Sequence, residues 1–188
     1  MAAALRADLQ VRISERAFTV ADREFPSGSL IIPAAGNPDD AAATLEDLAR
    51  KSGAAVVGMD TSWVTEGPSF GSRWVHNLVA PRVAMAWDAP TDVYSPGATR
   101  FVLERQIGYP VTPIRTRTLA RADLNRFDVL ILPDETGRYG GGYQEWLGQG
   151  GAENLTRWIE AGGVLVALAG GTEWAAHPDV NLLAIRAE

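Results

Sequence analysis

Two apolar runs in the C-terminal part of the chain set the terms for everything else. The first is Arg126-Phe-Asp-Val-Leu-Ile-Leu-Pro133. The second lies within Glu160-Ala-Gly-Gly-Val-Leu-Val-Ala-Leu-Ala-Gly-Gly-Thr-Glu-Trp174. Neither alternates polar with apolar residues, so each predicts a strand buried on both faces, as in a parallel sheet lying between helices. Between them Tyr143, Trp146 and Leu147, then Leu155, Trp158 and Ile159, recur at helical spacing. In open α/β sheets the ligand sites lie beyond the carboxyl ends of the strands.

The pattern extends backwards to residue 82. Arg82-Val-Ala-Met-Ala-Trp87 reads as the first strand of the main sheet. Ser95-Pro96 opens a helix by N-cap and first-turn preference, and Gly108 stops it after Ile107. Ala98, Phe101, Val102 and Ile107 are expected to face inward. Pro110-Val-Thr-Pro-Ile-Arg115 is a strand weakened by two prolines, which predicts an edge position. Leu119 to Asn125 reads as a short helical turn and Val129 to Leu132 as the central strand. Gly162-Gly163 ends the next helix before a strand from Val164 to Leu168. With right-handed crossovers, this order predicts a flavodoxin-like, doubly wound parallel sheet.

The N-terminal part is richer in short strands. Residues 3–9 predict a short helix, and Val11–Ser14, Phe18–Val20 and Ser29–Ile32 predict strands. Asn37-Pro38-Asp39-Asp40 is a helix start, with Asn37 as N-cap. Ala41, Leu45, Leu48 and Ala49 share one face of that helix and Gly53 ends it. Ala54 to Met59 predicts a further strand. Asp60 to Pro81 reads as a long connection, held down by burial of Trp63, Phe70 and Trp74. The expected organisation is a small α/β unit with a linker over residues 1–72 and the main domain over 73–188. Both ends read as abrupt, as in a piece of a longer polypeptide, and Met1-Ala-Ala-Ala-Leu-Arg-Ala-Asp has no apolar leader core.

Composition narrows the function classes. The net charge is −6, from 17 basic and 23 acidic residues, with no basic block. That disfavours a nucleic-acid partner, which needs clustered Lys and Arg. No apolar run approaches the roughly 18 residues of a membrane span. The absence of cysteine excludes disulfides, thiolate metal sites and a cysteine nucleophile, and fits either redox compartment.

Candidate chemistry gathers at the expected strand ends. The turn Ala169-Gly170-Gly171-Thr172 follows a strand as a nucleophile elbow would. Gly170 and Gly171 have no attacking group. Thr172 has only Glu173 beside it as a base, and otherwise reads as a helix cap. Asp88, Asp134, Glu135 and Glu173 are expected on one rim, as an acid/base or cation set or as helix caps. His76 and His177 are the only histidines and neither sits in a zinc-binding pattern, so neither a metal nor a cofactor is expected. Gly137-Arg-Tyr-Gly-Gly-Gly-Tyr143 suggests a flexible loop over the rim, with Tyr139 and Tyr143 as lid or partner residues. It matches neither a dinucleotide nor a phosphate-loop fingerprint. Two active readings follow: a hydrolase or lyase using Asp88, Asp134 and Glu173 with His177, or a small-molecule sensor under the Gly-rich loop.

Asp128-Val-Leu-Ile-Leu-Pro133, Leu155-Thr-Arg-Trp-Ile-Glu-Ala-Gly-Gly163 and Val164-Leu-Val-Ala-Leu-Ala-Gly-Gly171 together resemble the class I glutamine amidotransferase-like superfamily. The resemblance places Gly170 where the superfamily has its elbow cysteine, and Asp134 and Glu135 where it has glycines. It therefore implies the scaffold without the cysteine chemistry. Over nearly the whole chain, Phe25–Pro33, Gly67–Ser72, Tyr94-Ser-x-Gly97, Gly108–Pro113 and Arg126–Pro133 are similar to the non-peptidase C-terminal region of certain bacterial zinc carboxypeptidase A-like proteins. That resemblance implies a non-catalytic accessory domain whose partner is the peptidase domain of the same polypeptide. The zinc motif of such a peptidase is not in this sequence.

Overall fold

A computed structural model describes residues 1–136 and 140–183. The chain divides into two compact units, Met1–Ala80 and the part from Pro81 onward.

In the first unit, helix α1 (Ala2–Arg6) precedes strands β1 (Val11–Ser14), β2 (Phe18–Val20), β3 (Arg23–Phe25) and β4 (Leu30–Ile31). Helix α2 (Ala41–Ser52) follows, then β5 (Val64–Glu66) and β6 (Val75–Leu78). The strands form two antiparallel sheets, ordered β4-β1-β6 and β3-β2-β5. Ala4, Leu9, Val11 and Ala41 make the buried core, with Leu45 and Leu48 packed against it. Phe18 stacks on Phe25 and meets the edge of Phe70.

Several expectations fail here, and those about strands fail because strands need partners that the local sequence does not name. Ala54 to Met59 forms no strand, and Val56 stands 51% exposed. The expected connection instead supplies β5 and β6, and pairing of β6 with β1 assigns residues 73–80 to the first unit. Trp63 is 75% exposed, whereas Trp74 is half-buried and the Arg16 and Arg73 guanidinium groups lie over its ring. The N-cap of α2 is Asp40, not Asn37. The Asn37 side chain instead accepts from the Gln10 N–H at 2.7 Å and donates to the carbonyls of Gln10 and Pro33, stapling two segments together. Gly53 closes α2 in the left-handed region, φ 72°, as its position predicts.

The second unit holds β7 (Val83–Trp87), α3 (Tyr94–Arg100) continued by a π-helical turn (Phe101–Gln106), β8 (Val111–Arg115) and α4 (Thr116–Leu119). A 3₁₀ turn (Leu124–Arg126) leads to β9 (Val129–Leu132), α5 (Gly142–Glu160), β10 (Val164–Ala167) and α6 (Gly170–Ala176). Helix α5 is interrupted at Gly148, whose φ of 57° and ψ of −170° are non-helical. The four strands are parallel in the order β10-β9-β7-β8, so β8 is the edge that its prolines predict. The described residues are thus mixed α/β, with one parallel and two antiparallel sheets.

The two faces of the parallel sheet are covered unequally. On one, Ala84, Ala86, Leu130 and Leu132 pack against Leu119, Tyr143, Leu147, Leu155, Trp158 and Trp174. On the other, Met85, Val111 and Ile131 pack with Leu103. Here Val164 and Val166 are 53% and 39% exposed, so β10 is half-covered and not buried on both faces. Ala98, Phe101, Val102 and Ile107 also face outward, contrary to the helical expectation. The π turn accounts for the later part of that difference, because its five-residue hydrogen bonds, such as Ile107 N–H to the Val102 carbonyl at 3.0 Å, shift the helical phase.

Candidate functional site

The strand order reverses between β7 and β9, and the loops leaving their carboxyl ends are where an open α/β sheet would receive a ligand. These loops are laced to each other. The Asp92 N–H donates to the Asp134 carbonyl at 2.9 Å and the Thr136 N–H donates to the Pro90 carbonyl at 3.1 Å. Thr91 and Glu135 form an isolated antiparallel bridge between these contacts, and Pro90 and Thr91 are buried. The Ala89–Pro90 peptide bond is cis.

Asp134 and Glu135 are spent on backbone. Asp134 Oδ1 accepts from the Glu135 N–H and from the Gly170 N–H, both at 2.9 Å, and the Asp134 N–H donates to Ser95 Oγ at 2.9 Å. Glu135 Oε2 accepts from the Tyr143 N–H in the first turn of α5. A Cβ at Gly142 or Gly170 would collide with the Glu135 side chain. Burial pushes the Glu135 carboxyl above its ordinary range, the Tyr143 N–H opposes that shift, and the charges of Glu173 and Asp134 add to it. Helix capping is thus the role these two carboxylates visibly perform.

The sharp turn between β10 and α6 carries its backbone strain one residue before Gly170. Ala169 holds the strained backbone, φ 43° and ψ −114°, and is exposed, while Gly170 and Gly171 are buried. The tip is therefore Ala169, not Gly170. Gly171 is glycine for a packing reason, since a Cβ there would stand 2.7 Å from the Leu132 carbonyl oxygen. In elbow hydrolases the N–H after the tip helps stabilise the oxyanion. Here that N–H belongs to Gly170, and the Asp134 carboxylate already occupies it. The Thr172 hydroxyl donates to the Ala167 carbonyl at 3.0 Å, bending back onto β10. Glu173 is exposed in the first turn of α6.

The remaining candidates turn elsewhere. Asp88, exposed and at φ 74°, accepts from the Thr116 N–H at 3.2 Å and so serves the start of α4. His177 Nδ1 accepts from the Asp179 N–H at 3.3 Å beyond the end of α6. His76 lies in the first unit, 3.0 Å from Glu15. The set Asp88, Asp134, Glu173 and His177 therefore does not assemble into one hydrogen-bonded group. Among the described residues no group of three or more His, Cys, Asp or Glu could hold a metal ion, and no helix is long and apolar enough to cross a membrane.

Residues 137–139 of the Gly-rich segment, Tyr139 included, lie outside the described residues. Gly140, Gly141 and Gly142 all have positive φ. Tyr143 is not a lid residue: it is fully buried and its hydroxyl donates to the Pro133 carbonyl at 3.0 Å. Burial raises its pKa far above the ordinary phenol value. Trp146 is covered by the Arg117 guanidinium at 4.2 Å and donates from Nε1 to the Gly140 carbonyl. Sequence reasoning missed Ser95 as the partner of Asp134 and Ala169 as the tip. A serine at a helix start and an alanine before two glycines carry no local signal for either role.

Compared with family models, curated proteins and solved structures, the chain gives no match.

Proposed function

We propose that this chain is a non-catalytic accessory domain of a zinc carboxypeptidase-like protein, built on a flavodoxin-like, class I glutamine amidotransferase-like scaffold and partnered by the peptidase domain of the same polypeptide. The observation that carries the non-catalytic part is the elbow. Its exposed tip is a methyl group, Ala169, and the adjacent Gly170 N–H is held by the Asp134 carboxylate. A reacting carbonyl would find neither a nucleophile nor a free oxyanion donor there. Numbered along the sheet, the strand order is 2-1-3-4, which agrees with the flavodoxin-like arrangement. The partner rests on the sequence resemblance alone.

Two measurements test the reading. The purified chain is expected to hydrolyse no peptide, ester or glutamine substrate. Robust turnover that disappears in Thr172→Val or Glu173→Gln overturns the non-catalytic assignment. The partner is tested by the reading frame: a domain carrying a His-x-x-Glu zinc motif in the same polypeptide supports it, and a frame without one removes it.

A further inference from the structure

Pairing of β6 with β1 gathers cations that the sequence keeps far apart. Ser14 opposes Val75, and the Glu15 N–H donates to the Trp74 carbonyl at 2.9 Å, so Arg16 and Arg73 meet just beyond the ladder. The Arg16 guanidinium lies 3.5 Å from the centre of the Trp74 ring and that of Arg73 4.6 Å from it. The two cations are therefore closer together than the roughly 10 Å over which 0.1 M salt screens charge. The buried Ser14 hydroxyl donates to the Arg16 carbonyl at 2.7 Å and holds that bend. Arg12 stands in β1 with its guanidinium on the Asn77 side-chain oxygen at 3.1 Å and on the Phe70 carbonyl at 3.4 Å.

All of these guanidinium groups rest on neutral partners. Among the described residues none of them pairs with a carboxylate, and Glu15, next to Arg16, is turned to His76 at 3.0 Å. An unscreened cation pair without a counter-charge, in a chain of net charge −6, points to an anion. Stacking uses the face of a guanidinium and leaves its N–H edge free. In the adjoining turn the Ser69 hydroxyl and the Gly71 and Arg73 N–H groups have no partner among the described residues either, and all of these residues are exposed. A carboxylate would fill one guanidinium fork. A phosphoryl group has three acceptor oxygens and close to two negative charges, and so answers both forks at once. We propose that Arg16 and Arg73, with the turn from Ser69 to Trp74, bind a phosphoryl group, as free phosphate or as a small phosphate monoester. An exposed site of this kind belongs to the millimolar class.

Amide NMR of the full chain at fixed ionic strength tests it, with inorganic phosphate, glycerol phosphate or acetate added to about 30 mM, well above that class. The Gly71 and Arg73 amides and the Trp74 indole N–H should shift and saturate with phosphate. Acetate should bind at least roughly tenfold more weakly. Arg16→Gln and Arg73→Gln should each weaken phosphate binding by roughly fivefold or more, since each removes one fork. Arg16→Lys keeps the charge and should still bind more weakly than the parent, because an ammonium lacks the planar fork. Arg50→Gln, on α2, should bind as the parent does. Arg16, Arg50 and Arg73 are exposed, and unchanged circular-dichroism melts will separate lost binding from lost folding. Saturation by either phosphate compound supports the proposal, and the tighter of the two names the form the site takes. Absence of saturation overturns it. So does acetate binding as tightly as phosphate, or phosphate binding that survives Arg16→Gln and Arg73→Gln combined.

Discussion

The Asp134 carboxylate accepts a hydrogen bond from the Gly170 N–H at 2.9 Å across 36 residues of chain. This contact ties the end of β9 to the start of α6. Asp134 also receives the Glu135 N–H, so one carboxylate oxygen serves two donors. Asp134→Ala leaves both without that acceptor and is expected to cost about 1–3 kcal/mol in denaturant unfolding. Asp134→Asn keeps an oxygen acceptor and should lose less. Neither variant should acquire hydrolytic activity, because the tip still lacks a nucleophile.

Ala169 and Gly170 are expected to respond in opposite ways. Ala169→Gly relieves a positive-φ strain of about 1–3 kcal/mol and gives back about 0.4–1 kcal/mol through the unfolded chain. A net gain of about 1 kcal/mol in thermal or denaturant unfolding is the expected outcome. Gly170→Ala drives a methyl into Glu135 and should destabilise by about 1–3 kcal/mol.

Two carboxyl groups give opposite pH dependence. Burial raises the folded pKa of Glu135 above the ordinary 4.5 of a glutamate, so the native state holds its proton longer than the unfolded chain. Its contribution is fully present below about that value and is lost as pH rises through the folded pKa. Asp128 is held at about 2 by the Arg82 guanidinium and N–H, against 3.8 unperturbed. Its contribution is present above the unfolded pKa and is lost as pH falls towards 2. Urea midpoints measured over a pH series from about 2 upward should show the component above the ordinary glutamate range vanish in Glu135→Gln and the one below the ordinary aspartate range vanish in Asp128→Asn.

The tryptophans separate sharply by burial. Trp158 is 5% exposed and donates from Nε1 to the Phe127 carbonyl at 3.2 Å. Trp158→Ala should cost about 3–5 kcal/mol. Trp63 is 75% exposed, and Trp63→Ala should stay within about 0.5 kcal/mol of the parent. Equal losses in thermal unfolding would contradict this difference in burial.

Much of the second unit was legible because its signals are local and periodic. The run Val129 to Leu132, the prolines of β8 and Gly108 each act through their own backbone or their nearest neighbours. The first unit was less legible. Ala54 to Met59 has strand-forming residues but no ladder to join, and β5 and β6 are specified by partners more than 40 residues away. The carboxylates of the rim could be placed but not aimed. Asp88, Asp134 and Glu135 each follow a strand, and the donor each one meets comes from a segment that sequence proximity does not identify.

By itself, then, the sequence determined the main parallel strands, the edge position of β8 and that Ala169, Gly170 and Gly171 carry no attacking group. These depend on hydrophobic runs, on proline's missing N–H and on the chemistry of glycine and alanine. Only the tertiary structure decided that the strain falls on Ala169, that Asp134 occupies the neighbouring N–H, and that α3 and β10 leave apolar side chains uncovered. Those outcomes are set by which distant backbone donors and which helix faces come together, and pairwise packing across the fold is not written in the spacing of any one segment.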